Sequence, residues 1–137
     1  MLKATRDGFG QAMLQAAEVD HNLMVLSADL SSSLRLDDFK AAYPHQYLEL
    51  GVSEQNMAGV AAGLAMLGKT VVITSFAVFN PGRNWEQIRV SICEQNLNVK
   101  IVGSHAGLAT GPDGGTHQAL EDIALMSVLP NMKVLAP

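Results

Sequence analysis

The regular alternation of short apolar runs with helix-like segments constrains this chain more than any other feature. LMVLSA (23–28), QYLEL (46–50), TVVITSF (70–76) and NVKIVGS (98–104) each read as a strand, and MKVLA (132–136) reads as a fifth. The stretches between them have helical spacing. Residues 4–19 place Phe9, Met13, Ala16 and Ala17 on one face. Residues 35–43 read as a short helix halted by Pro44. A small-residue helix follows Gly51 and stops at Gly68, and further helices are expected over 83–95 and 119–129. Strands with few polar interior positions need cover on both faces. The expected fold is therefore α/β, a three-layer, mostly parallel sheet with helices on both faces.

Bulk properties narrow the partners. The chain has 137 residues, which suits one domain with one core, spanning 1–137. Hydrophobic residues make up 48% and charged residues 16%, which excludes a disordered chain. With a net charge of −4 and no Lys/Arg run, neither nucleic acid nor a membrane is an expected partner. No apolar run has the length of a membrane span, and MLKATRDGFGQAM lacks the apolar stretch of a signal peptide. A single cysteine, Cys93, fits a reducing cytoplasm and reads as a buried structural thiol. Pro137 follows directly on a strand-like run, so we expect a fragment of a longer subunit or one part of an assembly.

In an open parallel sheet, ligands gather at the carboxyl ends of the strands. Ser27, Asp29 and Ser31 to Ser33 follow the first strand-like run, and Glu54 the second. Phe76 and Phe79 follow the third, and His105, Asp113 and His117 the fourth. Each has a plainer reading. Glu54 suits a first helical turn through the helix dipole, with Ser53 as a cap. Phe76 and Phe79 suit core packing as well as an aromatic wall for a planar ring. Asp29 suits a helix cap or an Asx turn. The histidine spacing in GSHAGLATGPDGGTHQ lacks a short paired metal motif, and its glycines match neither a Walker A nor a G-x-G-x-x-G pattern. Proton handling or hydroxyl binding suits the His pair better. Gly59 and Gly63 suit close helix packing or a helix meeting its symmetry mate.

Taken together, these segments resemble the pyrimidine-binding domain of the transketolase family, thiamine-diphosphate enzymes. ATRDG (4–8), SADL (27–30), GVSEQNMAGVAAGLA (51–65), TSFAVF (74–79), SHAGL (104–108), PDGGTHQALED (112–122) and LPNMKVLAP (129–137) occur in the family's order. The resemblance covers nearly the whole chain. It departs from many relatives at SEQNM, where an R-E-H-A-M-like segment is common, and at HAGLATGPDGG, where long transketolases carry H-D-S-I-G and E-D-G-P. In this it is similar to the small split transketolases, whose diphosphate-binding and pyrimidine-binding parts are separate polypeptides.

The resemblance implies a set of roles. Glu54 would be the buried acid that shares a proton with N1′ of the cofactor's aminopyrimidine, held protonatable near neutral pH by burial. Phe76 and Phe79 would line the ring pocket, with Asp29 and Leu30 helping to hold the cofactor. His105, Asp113 and His117 would contact sugar hydroxyls or assist proton transfers. Arg6 and Ser33 would hold the sugar phosphate, Arg6 through its forked donors. The family's diphosphate and metal motif, G-D-G with a later Asn, is absent, and PDGG at 112–115 does not replace it. Mg2+ or Ca2+ would therefore be bound through a diphosphate-binding subunit or domain, within a homodimer. The implied activity is transfer of a two-carbon ketol unit between sugar phosphates, by a chain incomplete on its own. The alternatives are a domain similar to 1-deoxyxylulose-5-phosphate synthase, which His105 argues against, and a non-catalytic interaction domain of the same fold.

Overall fold

A computed structural model describes residues 4–108 and 110–137. Helix α1 (Thr5–Val19) leads into β1 (Leu23–Ser27), and α2 (Asp37–Ala42) into β2 (Tyr47–Glu49). Then follow α3 (Glu54–Met66), β3 (Thr70–Phe76), α4 (Trp85–Gln87), β4 (Val99–Ser104) and α5 (Asp122–Ser127). The four strands form one parallel sheet in the order β2-β1-β3-β4. Strand periodicity then sorts the side chains. Leu23, Val25 and Val72 enter one core with Ala17 of α1, Phe39 of α2 and the intervening Leu34 and Leu36. Leu26, Val71 and Ile73 point to the other face, against Met57 and Ala61 of α3. That layer continues through Ala58, Ile88, Ile92, Cys93 and Met126. Two cores, one on each side of the sheet, make the three layers expected from the sequence.

Local differences from the expectations have physical causes. Only Trp85–Gln87 of the expected 83–95 helix is α; Ile88–Cys93 winds as a wider π-helix, with Glu94 N–H bonded to the Arg89 carbonyl at 3.0 Å. The wider turn lets Ile88, Ile92 and Cys93 all reach the core shared with α3 and α5. The expected helix over 119–129 begins only at Asp122, because Gly107 N–H bonds the Ala119 carbonyl at 2.7 Å and holds that residue in an antiparallel bridge. Residues 132–136 form no strand. They join none of the four strands, and Val134–Pro137 line a cavity of about 630 Å3 together with Ile101–Ala106. Cys93 is buried, and burial pushes its thiol up, in keeping with a structural role.

The sheet's carboxyl edge is set by two tight backbone turns. Asp29 and Gly51 both adopt positive φ, 60° and 67°. Their N–H groups both donate to Glu49 Oε1, at 2.7 and 3.0 Å, and the Tyr47 hydroxyl donates to Oε2 at 2.8 Å. Burial alone would raise the Glu49 carboxyl; these hydrogen bonds outweigh it and hold the group below its ordinary value. Among the described residues no helix is long and apolar enough to cross a membrane.

Candidate functional site

Glu54 is the first residue of α3 and is 1% exposed. Ser53 does not cap this helix. Its hydroxyl donates instead to the Leu50 carbonyl at 2.7 Å, which tightens the turn that brings Glu54 under the sheet edge. The plain dipole reading of Glu54 would leave it at the surface, where most first-turn acids lie. Burial of the whole side chain is the first sign of a different role.

Among the described residues the carboxylate has one charged partner. Arg83 Nη1 donates to Glu54 Oε2 at 3.2 Å, and the guanidinium lies over the Phe79 ring with its carbon 5.0 Å from the centroid. Arg83 itself is half-exposed, so the pair bridges solvent and interior. Among the described residues Glu54 Oε1 accepts no hydrogen bond. Asn84 Nδ2 donates to the Glu54 main-chain carbonyl at 3.1 Å. Gly82 admits this loop: a Cβ there would stand 1.9 Å from the Val78 carbonyl oxygen.

Next to this pair lies an aromatic wall. Phe76 is buried at the end of β3 and Phe79 is half-buried, their rings stacked at 6.4 Å and 13°. Both histidines of the glycine-rich loop region meet this wall. The His105 ring lies 4.1 Å from Phe76, and His117 stands edge-on to Phe76 and Phe79 at 6.1 and 5.3 Å. Core packing accounts for Phe76 alone; it does not account for two imidazoles on one stacked pair.

The hydrogen bonds orient both imidazoles. Arg6 Nη1, always a donor, lies 3.4 Å from His105 Nε2, so the neutral ring carries its proton on Nδ1 and donates to Ser104 Oγ at 2.7 Å. Burial pushes the His105 imidazole below its ordinary value, the Arg6 guanidinium adds to this, and the Asp113 carboxylate opposes it. The His105 backbone is held at φ 53°, a strained conformation for a residue with a Cβ. Thr116 donates its hydroxyl proton to the Asp113 carbonyl at 3.4 Å, which leaves Oγ1 free to accept from His117 Nδ1 at 2.9 Å.

The structure thus groups Arg6, Phe76, Phe79, His105 and His117, and joins Glu54 to them through Arg83. The other residues singled out in the sequence stand apart. Leu30 packs with the core beneath α1 and α2, Ser33 is half-buried in the 31–35 turn, and Asp29 is exposed. Asp113 is exposed and reaches the group only through its charge on His105. Ala109, within the glycine-rich loop, lies outside the described residues. Sequence reasoning missed Arg83, Asn84, Asn80 and Glu49. The run NPGRN has the composition of a turn, and no spacing rule links it to Glu54 thirty residues earlier. Among the described residues no cluster of three His, Cys, Asp or Glu side chains is placed to hold a metal ion.

Comparison with known proteins gives one consistent result. The family model described as transketolase, pyrimidine binding domain, matches residues 2–137. A Methanocaldococcus jannaschii protein assigned as a transketolase C-terminal section is 47% identical over 98% of this chain and 43% of its own length. One subunit of the apulose-4-phosphate transketolase of Phocaeicola vulgatus is 37% identical over 98% of this chain and 43% of its own length. A solved split-gene transketolase, described as an inactive beta4 tetramer, superposes with a TM-score of 0.79 at 48% identity, covering 93% of this chain and 41% of that one. The chain therefore spans about two fifths of the length of the relatives it matches.

Proposed function

The chain belongs to the transketolase pyrimidine-binding domain family, and from that premise we propose that it supplies the aminopyrimidine half of a thiamine-diphosphate site. Residues 1–137 would form one such domain of a longer subunit. The observation that carries the reading is Glu54: a carboxylate 1% exposed, beside a stacked aromatic pair, with Oε1 free among the described residues. That arrangement fits a flat heterocycle that shares a proton at a ring nitrogen. The G-D-G motif with a later Asn that would hold the diphosphate and its metal is absent from the sequence, so Mg2+ or Ca2+ would be held by a diphosphate-binding subunit or domain. A relative described as an inactive beta4 tetramer is what such a chain would form without its partner. In the active assembly we expect a two-fold dimer of paired subunits.

The cofactor, when bound, supplies the carbanion chemistry of ketol transfer. The chain's residues would do the rest. Glu54 would hold a proton at the pyrimidine N1′. Phe76 and Phe79 would flank the ring and exclude water from it. Asp29 and Leu30, on the turn after β1, would bear on the cofactor from the opposite loop. His105, neutral at pH 7 and accepting through Nε2, suits a sugar hydroxyl, as does His117; Asp113 would join them when a substrate draws the loop inward. Arg6 would exchange its imidazole acceptor for a sugar phosphate, with Ser33 beside it. The activity is transfer of a two-carbon ketol unit between sugar phosphates.

Calorimetric titration of thiamine diphosphate with Mg2+ tests this. The chain alone, a candidate diphosphate-binding subunit alone, and their mixture are compared. Binding that appears or tightens strongly only in the mixture is expected. Equal, tight binding by the chain alone would overturn the shared-site reading. Ketose donors then separate ketol transfer from a synthase that uses pyruvate.

A further inference from the structure

Asn80 and Asn84 are both fully buried, in a loop where apolar side chains would fill the space without any need for hydrogen-bond partners. Their amides form a connected line. Asn80 Nδ2 donates to the Ile73 carbonyl of β3 at 3.3 Å and to the Val102 carbonyl of β4 at 3.2 Å. Asn80 Oδ1 accepts from Asn84 Nδ2 at 3.0 Å. Asn84 Nδ2 also reaches the Glu54 carbonyl at 3.1 Å. The line begins on two adjacent strands and ends on the residue that carries the buried acid.

Those two strands are the ones that deliver the rest of the site. Phe76 ends β3, and His105 follows directly on β4. We propose that Asn80 and Asn84 are positioning residues: a buried amide relay that registers Glu54 against the strands carrying Phe76 and His105. Helix α3 otherwise meets the sheet through Met57, Ala58 and Ala61, side chains whose packing tolerates small slides. Hydrogen bonds to three main-chain carbonyls remove that freedom. An acid that must meet one nitrogen of a ring depends on such a constraint, because misplacement by about 1 Å is costly in function. The inference rests on the reading of Glu54 given above.

The test is a double-mutant cycle in the enzyme assembled with its diphosphate-binding subunit. Calorimetric affinity for thiamine diphosphate with Mg2+ and the thermal midpoint are both read for wild type, Asn84→Ala, Glu54→Gln and the double variant. Asn84→Ala is expected to weaken binding about tenfold in wild type and less than about twofold on Glu54→Gln, since its effect passes through Glu54. The midpoint should fall by the same amount in both backgrounds. Leu23→Ala, buried at the amino end of β1 and so at the edge of the sheet opposite the site, serves as a stability control and should lower the midpoint while leaving affinity unchanged. An equal loss of affinity in both backgrounds, or an equal loss in Leu23→Ala, would overturn the relay and leave the role of Glu54 standing. No effect of Glu54→Gln on either affinity or turnover would overturn that role, and the relay with it.

Discussion

Glu54 and His105 are both tied to the Phe76–Phe79 pair, Glu54 through Arg83 and His105 by direct ring contact, yet the chain holds them by different means. Glu54 opens a helix of 13 residues, is wholly buried, and is fixed by side chains 29 and 30 residues away. His105 sits at the mouth of the sheet, half-buried and strained at φ 53°. Its closest hydrogen bond is to the preceding residue, and among its described residues the loop beyond it is built from single 3-10 turns and one isolated bridge. The acid is thus placed by partners buried with it, whereas the histidine rests at a half-buried strand end against the Phe76 ring and the Arg6 guanidinium. A buried group with many remote partners responds to substitution through chemistry, because its surroundings persist. A half-buried group at a strand end responds to pH and to ligand as well.

The largest effect expected from this contrast is that of Glu54→Gln. The amide fills the same volume and can still accept from Arg83, so the fold should persist. The proton it would share is lost. Turnover of the assembled enzyme should fall by about a hundredfold to ten-thousandfold, the range for removal of a general acid–base group. Steady-state ketol transfer beside a thermal melt would show this, and turnover within about threefold of wild type would sink the acid role.

How much of this was legible in the sequence follows the same divide. Apolar runs and turn residues located β1 to β4 and placed Glu54, Phe76, Phe79 and His105 at strand ends, since these depend on local spacing. The run MKVLA failed as a strand: strand formation needs a neighbour, and residues 132–136 pair with none of the four strands. The widened turns of 88–93 were hidden because the face that this segment buries is decided by α3 and α5, not by its own periodicity. Asn80, Arg83 and Asn84 carry ordinary turn composition, and their partners lie in α3, β3 and β4. Polar residues that act across the fold leave no period, so a reading by pattern finds the acid and misses what holds it.

Arg83→Met sharpens the contrast at the next level of magnitude. It leaves the buried Glu54 carboxylate without its charged partner. A fully buried pair would lose several kcal/mol, but half the guanidinium is in solvent, so the expected loss is about 1 kcal/mol. For a chain of this size that is roughly 3–5 °C in thermal midpoint. On Glu54→Gln the same substitution should cost little, because no charge remains to be orphaned. Equal losses in the two backgrounds would mean that Arg83 stabilises through its stacking on Phe79 alone.

The smallest effect belongs to His105 and is one of pH. Burial and the Arg6 guanidinium hold its folded pKa below the ordinary value of 6.5, with Asp113 opposing. The unfolded chain therefore binds this proton more readily than the folded one. The sign follows: the His105 contribution is fully present above about pH 6.5 and is lost as pH falls toward the lower folded value. Glu49, also lowered, begins to lose its contribution only near its ordinary value of 4.5, so the two windows separate. Urea midpoints of the chain between pH 5 and 8 should decline on the acid side of this range. His105→Gln should flatten that decline. A slope indifferent to His105→Gln would mean that the strand end, and not the imidazole, sets the acid response, and that the two sides of the site are more alike than their scaffolds indicate.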